Sequence, residues 1–451
     1  MRKGERLRRS VLAVAALTLL AGALAVVRAA GQQAGGQEQA LEARAIKILA
    51  EVPLIDGHND VPEQLRDRVK DRLDRLDLAS DTSQLEEPMH TDIPRLRKGH
   101  VGGQFWSVYV PTTLQGPAAV QAVFEQIDVV HRMAERYPEA FVMAYTAADV
   151  ERIHRSGKIA CLIGMEGGHS IGNSLAVLRD AYVCGARYMT LTHWNDTDWA
   201  DSATDRPHHD GLTNFGREVV REMNRLGMLV DLSHVSDKTM LDVLETSEAP
   251  VIFSHSSARA LCNHVRNVPD EILRKVGAKG GIVMVNFAPG FVSEDVRLWE
   301  VPVQKELRRL ENLYPNDEKK AWRELRAWTA QHPGPKATLA QVADHIDHVR
   351  AAAGIDHVGL GSDFDGISTT PVGLEDVSKY PTLLAELLRR GYSADDVKKV
   401  AGANILRVLR EAETVAQRLR KTRLPSEALI EELDAPPAVP EHASPSGASS
   451  R

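Results

Sequence analysis

The feature that most constrains the fold of this chain is an alternation of short apolar runs with helical patterns. Eight apolar runs recur, each bounded by turn residues, and helical segments separate them. The predicted strands are 52–57, 104–110, 159–165, 187–191, 228–232, 251–253, 281–287 and 357–361. This pattern predicts an α/β fold, a (β/α)8 barrel of the TIM type. A doubly wound open sheet alternates in the same way, and the count of eight favours the barrel.

A long charged segment interrupts the alternation after the seventh strand. Residues 289–335 have a helical pattern, with Leu307, Leu310 and Leu325 on apolar positions. We expect this helical insertion to lie over the mouth of the barrel or at a subunit contact. The barrel domain itself is predicted over residues 41–420, after a linker over 31–40.

The two ends of the chain differ from this domain. Basic residues precede an uncharged apolar stretch of 17 residues over 11–27, and Val27-Arg28-Ala29 offers a small-residue cleavage site. This layout predicts a secretory signal over 1–30, and therefore export to the periplasm or the cell exterior. The alternative is an uncleaved anchor helix, the one route to membrane attachment that we predict. The end rich in Pro, Ser and Ala predicts a disordered tail over 421–451.

Composition excludes several classes of protein. The chain is 43% apolar and 26% charged, with 55 basic and 62 acidic residues and three cysteines. That balance is typical of a soluble globular domain and excludes a disulfide scaffold. Basic residues are not in excess, so we expect no nucleic-acid partner. Cys161, Cys184 and Cys262 are predicted to be buried small hydrophobes with at most one bridge.

Polar side chains follow six of the eight predicted strands. Because barrel active sites form at the carboxyl ends of the strands, these side chains are expected to converge on one mouth. They are His58 with Asp60, Glu166, His193, His234, His255 and Asp363.

Five of these residues suit a metal site. His58 and Asp60 are spaced i, i+2, which places both on one face of an extended strand. A single pair of this kind also occurs as a hydrogen-bonded loop pair. With Glu166, His234 and His255, the set exceeds the three protein ligands of a mononuclear catalytic zinc site. It predicts two metal ions that share Glu166, with zinc first and manganese, cobalt or iron as alternatives.

Such a site predicts amide hydrolysis. Two metal ions hold one water between them as a hydroxide near neutral pH and polarise a substrate carbonyl. Asp363 is predicted to take up the proton of the water and later to protonate the leaving amine. His193, outside the ligand set, is predicted to hydrogen-bond the oxyanion.

The segments around these residues resemble the membrane (renal) dipeptidases, a zinc peptidase family of amidohydrolase-like barrels. The resemblance extends over residues 50–409. The matching segments are IDGHNDVP (55–62), GMEGGHSIGNS (164–174), RYMTLTHWNDTDWADS (187–202), LVDLSHVSDKTM (229–240), APVIFSHSSARALCNHVRNVPDEIL (249–273), VGLGSDFDG (358–366) and GLEDVSKYPTLLAELLRRGYS (373–393).

The resemblance implies hydrolysis of dipeptides, including those with a C-terminal D-residue, and in some members of β-lactam amides. It implies two zinc ions on the five ligands above, substrate contacts by His193 and Arg266, and proton transfer by Asp363. Arg266 would hold the carboxylate of a dipeptide, because a guanidinium matches that group in fork geometry. The resemblance also implies a homodimer. The family's animal members carry a C-terminal lipid and disulfide bonds within and between chains, and we expect neither that lipid anchor nor a disulfide-linked dimer here.

Three alternatives to this function remain at the level of sequence. Gly168-His-Ser170-Ile-Gly172 fits G-x-S-x-G, the nucleophile elbow of a serine hydrolase, after an apolar run and before a helix. The chain could be an exported binding protein on an inactive barrel, although no expected ligand is missing. Other metal-dependent amidohydrolases, dihydroorotase-like or deaminase-like, commonly place His-x-His on the first strand, whereas this chain has His-x-Asp.

Overall fold

The computed structural model describes residues 35–315 and 317–434. Their strands are β1 (Leu54–Asn59), β2 (Val101–Tyr109), β3 (Phe141–Met143), β4 (Ile159–Glu166), β5 (Ala186–Thr190), β6 (Leu229–Asp231), β7 (Ile252–Phe253), β8 (Ile282–Val285) and β9 (Val358–Leu360). All strand pairs are parallel. Eight of these strands correspond to the predicted ones. The exception, β3, was not predicted.

The sheet closes into a barrel. Its strand order is β2-β1-β9-β8-β7-β6-β5-β4, and β2 also pairs with β4 from Gly103↔Ala160 to Tyr109↔Glu166. The short β3 pairs with residues 159–161 of β4, ahead of the residues of β4 that pair with β5. The predicted (β/α)8 barrel is therefore confirmed, and the open doubly wound sheet is excluded.

Helices cover the outside of the barrel. They are α1 (35–49), α2 (Val61–Val69), α3 (Ile93–Lys98), α4 (Pro117–Arg136), α5 (Ala147–Arg155), α6 (Leu175–Val183), α7 (Asn214–Leu226), α8 (Asp237–Thr246), α9 (Asp270–Ala278), α10 (Pro289–Val292), α11 (Glu294–Leu313), α12 (Glu318–Gln331), α13 (Leu339–Ala353), α14 (Tyr380–Arg389), α15 (Ala394–Lys398), α16 (Asn404–Leu419) and α17 (Ile430–Leu433). A π-helical segment, Lys399–Ala403, joins α15 to α16.

Strands and helices pack as the sequence pattern requires. Every residue of β1 and β4 is buried, as expected for parallel strands between a barrel interior and a helical layer. Ser, Thr or Asp caps begin several helices, and Thr146 and Asp149 form a capping box at the start of α5. The predicted insertion is a helical hairpin of α11 and α12 after the seventh barrel strand, β8. The hairpin has a small core of its own, with Leu307, Leu310, Ala321 and Leu325.

Helical structure and hydrogen bonds extend beyond both ends of the predicted domain. Helix α1 includes residues 35–40, which the sequence assigned to a linker. Residues 421–434, assigned to the tail, reach α7, where Asp434 accepts hydrogen bonds from the backbone N–H groups of Asn214 and Phe215. The predicted signal over 1–30 and the tail after residue 434 lie outside the described residues.

Two further findings concern the described part of the chain. None of its helices is both long enough and apolar enough to cross a bilayer. Cys161 and Cys262 are buried and Cys184 is partly buried, each as a free thiol.

Candidate active site

The predicted site residues converge at the carboxyl end of the barrel strands. Glu166, the last residue of β4, lies at the centre of the group. Its Oε1 atom is surrounded by four imidazole Nε2 atoms, those of His234 at 3.0 Å, His58 at 3.4 Å, His255 at 3.4 Å and His193 at 3.7 Å. The side chains of all five residues are at least nine-tenths buried. Residues from five different strands thus point to one spot.

The protonation of His58 shows what this spot lacks. The hydroxyl of Tyr188 donates to the carbonyl of Gly57 at 3.1 Å, so it accepts from Nδ1 of His58 at 2.8 Å. In the neutral ring this arrangement leaves a lone pair on Nε2 of His58. The lone pair faces Oδ1 of Asp60 at 3.4 Å as well as Glu166, and no hydrogen-bond donor reaches it from the described residues. Buried acceptors that face one another need a positive charge between them, which either a proton on His58 or a metal ion supplies.

Other residues of the group also bring potential metal-ligand atoms close together in a buried place. Both carboxylate oxygens of Asp60 are buried without a partner from the described residues. The Nε2 atoms of His234 and His255 are 2.9 Å apart, so without a metal ion one ring has to donate to the other from a different tautomer. Three overlapping groups have ligand atoms within 4.8 Å of one another: His58 with Glu166 and His255, Glu166 with His193 and His234, and His58 with Asp60 and Asp363. Nitrogen and carboxylate donors in this arrangement fit more than one divalent ion. His193, which the sequence left outside the ligands, lies in the second group.

Polar residues that the sequence analysis missed hold the site residues in place. Tyr188 orients His58, as described above. The hydroxyl of Ser254 is 2.7 Å from Nδ1 of His255, and the hydroxyl of Ser107 donates to Oε2 of Glu166 at 3.1 Å. Such contacts fix which nitrogen or oxygen faces the metal position. Gly164 makes room for the ring of Tyr188, because a Cβ at this position would lie 2.0 Å from Cζ of the tyrosine.

Asp363 follows β9 with a left-handed backbone, at φ 67°. Non-glycine residues adopt that conformation rarely, and it is found at functional sites. Oδ2 of Asp363 accepts a hydrogen bond from the side-chain amide of Asn286 at 2.9 Å. Burial, together with the charges of Asp60 and Glu166, raises the pKa of Asp363 to about 7. Such a carboxyl group can both take up and release a proton near neutral pH.

A cavity of about 410 Å³ opens above these residues. Arg266 lines it and is 1% exposed. Its guanidinium has long contacts to the hydroxyl of Ser256 at 3.4 Å and the carbonyl of His255 at 3.5 Å, and lies over the ring of Phe291. No carboxylate of the described chain pairs with it. Burial lowers the pKa of Arg266 to about 10, so the group is still a cation at neutral pH. An unpaired buried cation in a cavity is suited to an anionic group of a ligand.

The helical insertion contributes to the same cavity. Glu300 and Gln304 of α11 line it, so the insertion reaches the barrel mouth, which is one of the two positions expected for it. Glu63 of α2 also lines the cavity. Burial, followed by the charges of Asp60 and Glu166, raises the pKa of Glu63 to about 8. Burial alone raises the pKa of Glu300.

Ser170 does not have the surroundings of a nucleophile. Its hydroxyl is fully buried and donates to the carbonyl of Gly167 at 2.7 Å. In the described chain, no histidine hydrogen-bonds to it. The G-x-S-x-G segment is a 3-10 turn, Gly168–Ile171, that follows Glu166. The serine hydrolase alternative therefore has no activated serine at this position.

Comparison with known proteins gives consistent matches. The model of the membrane dipeptidase family, peptidase family M19, matches residues 42–423. Dipeptidase 3 of Rattus norvegicus is 42% identical over 383 residues, which are 84% of this chain and 69% of the rat protein. Dipeptidase verJ of Clonostachys rogersoniana is 41% identical over 390 residues, which are 84% of this chain and 89% of the fungal protein.

Solved structures agree with these matches. The probable dipeptidase PvdM from Pseudomonas aeruginosa superposes with a TM-score of 0.69 at 25% identity, covering 84% of this chain and all of that one. A metallo peptidase from Rhodobacter sphaeroides, liganded with a phosphinate mimic of the dipeptide L-Ala-D-Ala, gives a TM-score of 0.64 at 26% identity. That match covers 80% of this chain and 99% of the other.

Proposed function

Since this chain belongs to the membrane dipeptidase family, peptidase family M19, and is a metal-dependent dipeptidase, we propose that two zinc ions at its barrel mouth support the reaction. The proposed ligands are His58, Asp60, Glu166, His234 and His255, with Glu166 shared between the ions. The observation that carries the proposal is the cluster of buried imidazole nitrogens around Oε1 of Glu166, beside an Asp60 carboxylate that no donor of the described residues reaches. Manganese or cobalt suits the same donors.

When bound, the ions lower the pKa of a water molecule and withdraw electron density from the scissile carbonyl. Asp363 accepts the proton of that water and delivers it to the nitrogen of the leaving amine, so the proton count balances over the cycle. Its pKa of about 7 suits both steps. Asn286 keeps the carboxylate in place through its hydrogen bond to Oδ2.

Two residues position the substrate in this proposal. Arg266 binds the free carboxylate of the dipeptide, which supplies the partner that the buried guanidinium lacks. His193 donates a hydrogen bond to the oxyanion that forms when the carbonyl carbon becomes tetrahedral. Burial lowers the pKa of His193 to about 4, so the ring is neutral and one of its nitrogens carries a hydrogen to donate.

We also propose that dipeptides with a C-terminal D-residue are substrates. Support comes from the Rhodobacter sphaeroides metallo peptidase, whose ligand mimics L-Ala-D-Ala. The tetrahedral phosphorus of a phosphinate stands in for the carbonyl carbon after attack by water. A carboxylate anchored by a single arginine leaves the neighbouring α-carbon free to present either configuration.

The proposal is tested by hydrolysis of a small panel that includes Gly-D-Ala and L-Ala-D-Ala. The purified protein is assayed as isolated, after chelation and after zinc is added back, with bound zinc measured in each state. We expect activity to disappear with the chelator and to return with about two zinc ions per chain. Activity that survives complete removal of metal would overturn the proposal. Activity that returns with a single bound ion would overturn the shared role of Glu166.

A further inference from the structure

Arg266 and Glu63 lie on opposite sides of the barrel mouth. Arg266 contacts Ser256 and His255, which directly follow β7. Glu63 is in the first turn of α2, and Arg66 of the same helix donates to the carbonyl of Tyr109, the last residue of β2. In the strand order, four steps separate β2 from β7 in either direction around the barrel. The metal-ligand group lies between these two sides.

This arrangement gives a bound dipeptide a direction, on the basis of the function proposed above. A substrate with its carboxylate on Arg266 and its amide at the ligand group extends its N-terminal residue toward β1 and β2. Glu63 is the acidic residue of the cavity on that side that is outside the ligand set. It is placed to contact the N-terminal residue of the substrate.

The carboxylate of Glu63 has no strong partner. Within the described chain no donor hydrogen-bonds to it, and its nearest cation is Nη2 of Arg66 at 3.7 Å. That guanidinium is already shared, since it donates to Asp67 at 3.0 Å and to the carbonyl of Tyr109 at 2.8 Å. The side chain of Glu63 is only 23% exposed. A cation supplied by a ligand offsets the burial that raises the pKa of this carboxyl group, and so favours its ionised form.

We propose that Glu63 determines specificity, favouring dipeptides whose N-terminal residue carries a cationic side chain, lysine or arginine. The α-ammonium group of the substrate is a poorer candidate, because it is only two bonds from the scissile carbon. Glu63 follows Asp60 by three residues, and such a spacing on a helix separates Cβ atoms by about 5–6 Å. Its carboxylate therefore suits a group at the end of a side chain that points away from the ligand group.

The test compares two substrates of nearly equal shape, L-Arg-L-Ala and L-citrulline-L-Ala, of which only the first has a charged side chain. We expect kcat/KM of the wild type to favour the arginine substrate about tenfold or more, as for a charge-assisted contact in a partly buried site. In Glu63→Gln the ratio is expected to fall to about one to two. The ratio is the readout because it cancels any change in folding or metal content that both substrates share.

Glu300→Gln is the matched control. Glu300 is a cavity carboxylate that is neither a proposed ligand nor the proposed proton carrier Asp363. It lies against Gly290, which follows β8, on the side of Arg266. The substitution removes the same charge from the same cavity. If the substrate preference came only from the overall negative charge of the cavity, the kcat/KM ratio would fall equally in both variants. That result would overturn the proposal. A direct contact predicts that Glu300→Gln keeps the wild-type ratio.

Further outcomes separate this inference from the proposed function. If L-Ala-L-Ala is cleaved but the wild-type ratio is about one, the dipeptidase mechanism stands and the role of Glu63 is wrong. If no dipeptide is cleaved, the proposed mechanism fails, and calorimetric binding of the two substrates to the wild type and to Glu63→Gln decides the inference. Tighter binding of the arginine substrate that is lost in Glu63→Gln supports it. Equal binding overturns it.

Discussion

Two buried aspartates on one strand have opposite surroundings. Asp56 lies within β1, and Asp60 lies four residues later, just beyond the end of the strand. Asp56 accepts hydrogen bonds from the backbone and hydroxyl of Ser362, both at 2.7 Å, from the hydroxyl of Tyr380 at 2.8 Å and from Gln104 at 3.1 Å. Both oxygens of Asp60 are equally buried and have no donor from the described residues.

The difference teaches where a functional site can be recognised in a barrel of this kind. Burial does not distinguish the two aspartates, since their exposures are 0% and 2%. The two aspartates differ instead in the number of hydrogen-bond donors that reach them. The layer that holds Asp56 is complete within the protein and stabilises the fold, whereas the layer that holds Asp60 contains acceptors without donors from the described chain, as the proposed metal site would require.

The largest expected effect concerns Asp60→Asn. Loss of a metal ligand is expected to lower kcat/KM by more than about 100-fold, the upper range for changes to residues that only support a ligand. In the chelated protein the same change should leave the melting temperature unchanged or raise it, because it relieves repulsion with Glu166 and Asp363. Kinetics, bound zinc and thermal unfolding with and without chelator measure the three quantities. A chelated variant that is much less stable than the chelated wild type would assign Asp60 a structural role.

Asp56→Asn should show the reverse pattern. The amide cannot accept all the hydrogen bonds that the carboxylate accepts, and its NH₂ group would face donors. We expect the free energy of unfolding to fall by about 3 kcal/mol, with or without zinc, as for the loss of a buried hydrogen-bonded charge. Urea unfolding of the chelated protein measures this change. The zinc content of the folded fraction is the control. A variant that is as stable as the wild type but does not bind zinc would contradict a purely structural role of Asp56.

The sequence predicted the parts of the molecule that depend on local pattern. The eight barrel strands are continuous apolar runs, because both of their faces are buried. The residues of the proposed metal site lie at the ends of those strands, and the barrel geometry brings them together. Strand β3 was missed because three residues, Phe141–Met143, are too few to show a period.

The residues that orient the site could not be predicted in the same way. Tyr188 lies within an apolar strand and contacts His58 across 130 residues of sequence. Ser107 reaches Glu166 across 59 residues. A serine or tyrosine in a strand carries no signal of its own, and its role depends on which side chain the closed barrel places opposite it. The same holds for Glu63 and Glu300, whose common cavity exists only after the insertion has folded over the mouth.

A smaller effect on stability is expected at a buried histidine whose two ring nitrogens both have hydrogen-bond partners within the protein. His345 of α13 accepts from the N–H of Ala258 at 3.0 Å on Nδ1 and donates to the carbonyl of Val292 at 2.9 Å through Nε2. Burial lowers its pKa to about 4. The folded state therefore holds the ring neutral where the unfolded state binds a proton, so stability is lost as pH falls from about 6.5 toward 4.

His345→Gln isolates this contribution from the histidines of the active site. Over that pH range the wild type should lose up to about 3 kcal/mol more than the variant. Urea unfolding of both chelated proteins at several pH values gives the difference. Parallel pH profiles would show that His345 binds its proton equally in both states and would contradict the assignment.

The smallest effect is expected for Ser170→Ala. This change tests whether a buried hydroxyl that has its hydrogen-bond partner within the protein acts in the structure, as Asp56 does, and not in catalysis. The hydroxyl of Ser170 already has a hydrogen-bond partner within the protein, the carbonyl of Gly167. Its removal should cost about 1 kcal/mol of stability and change kcat/KM by less than about threefold. Hydrolysis of L-Ala-D-Ala by the variant, with a serine-directed reagent on the wild type as control, measures this. A loss of a thousandfold, together with inactivation of the wild type by the reagent, would restore Ser170 as nucleophile and leave the lone pairs around Glu166 without a catalytic purpose.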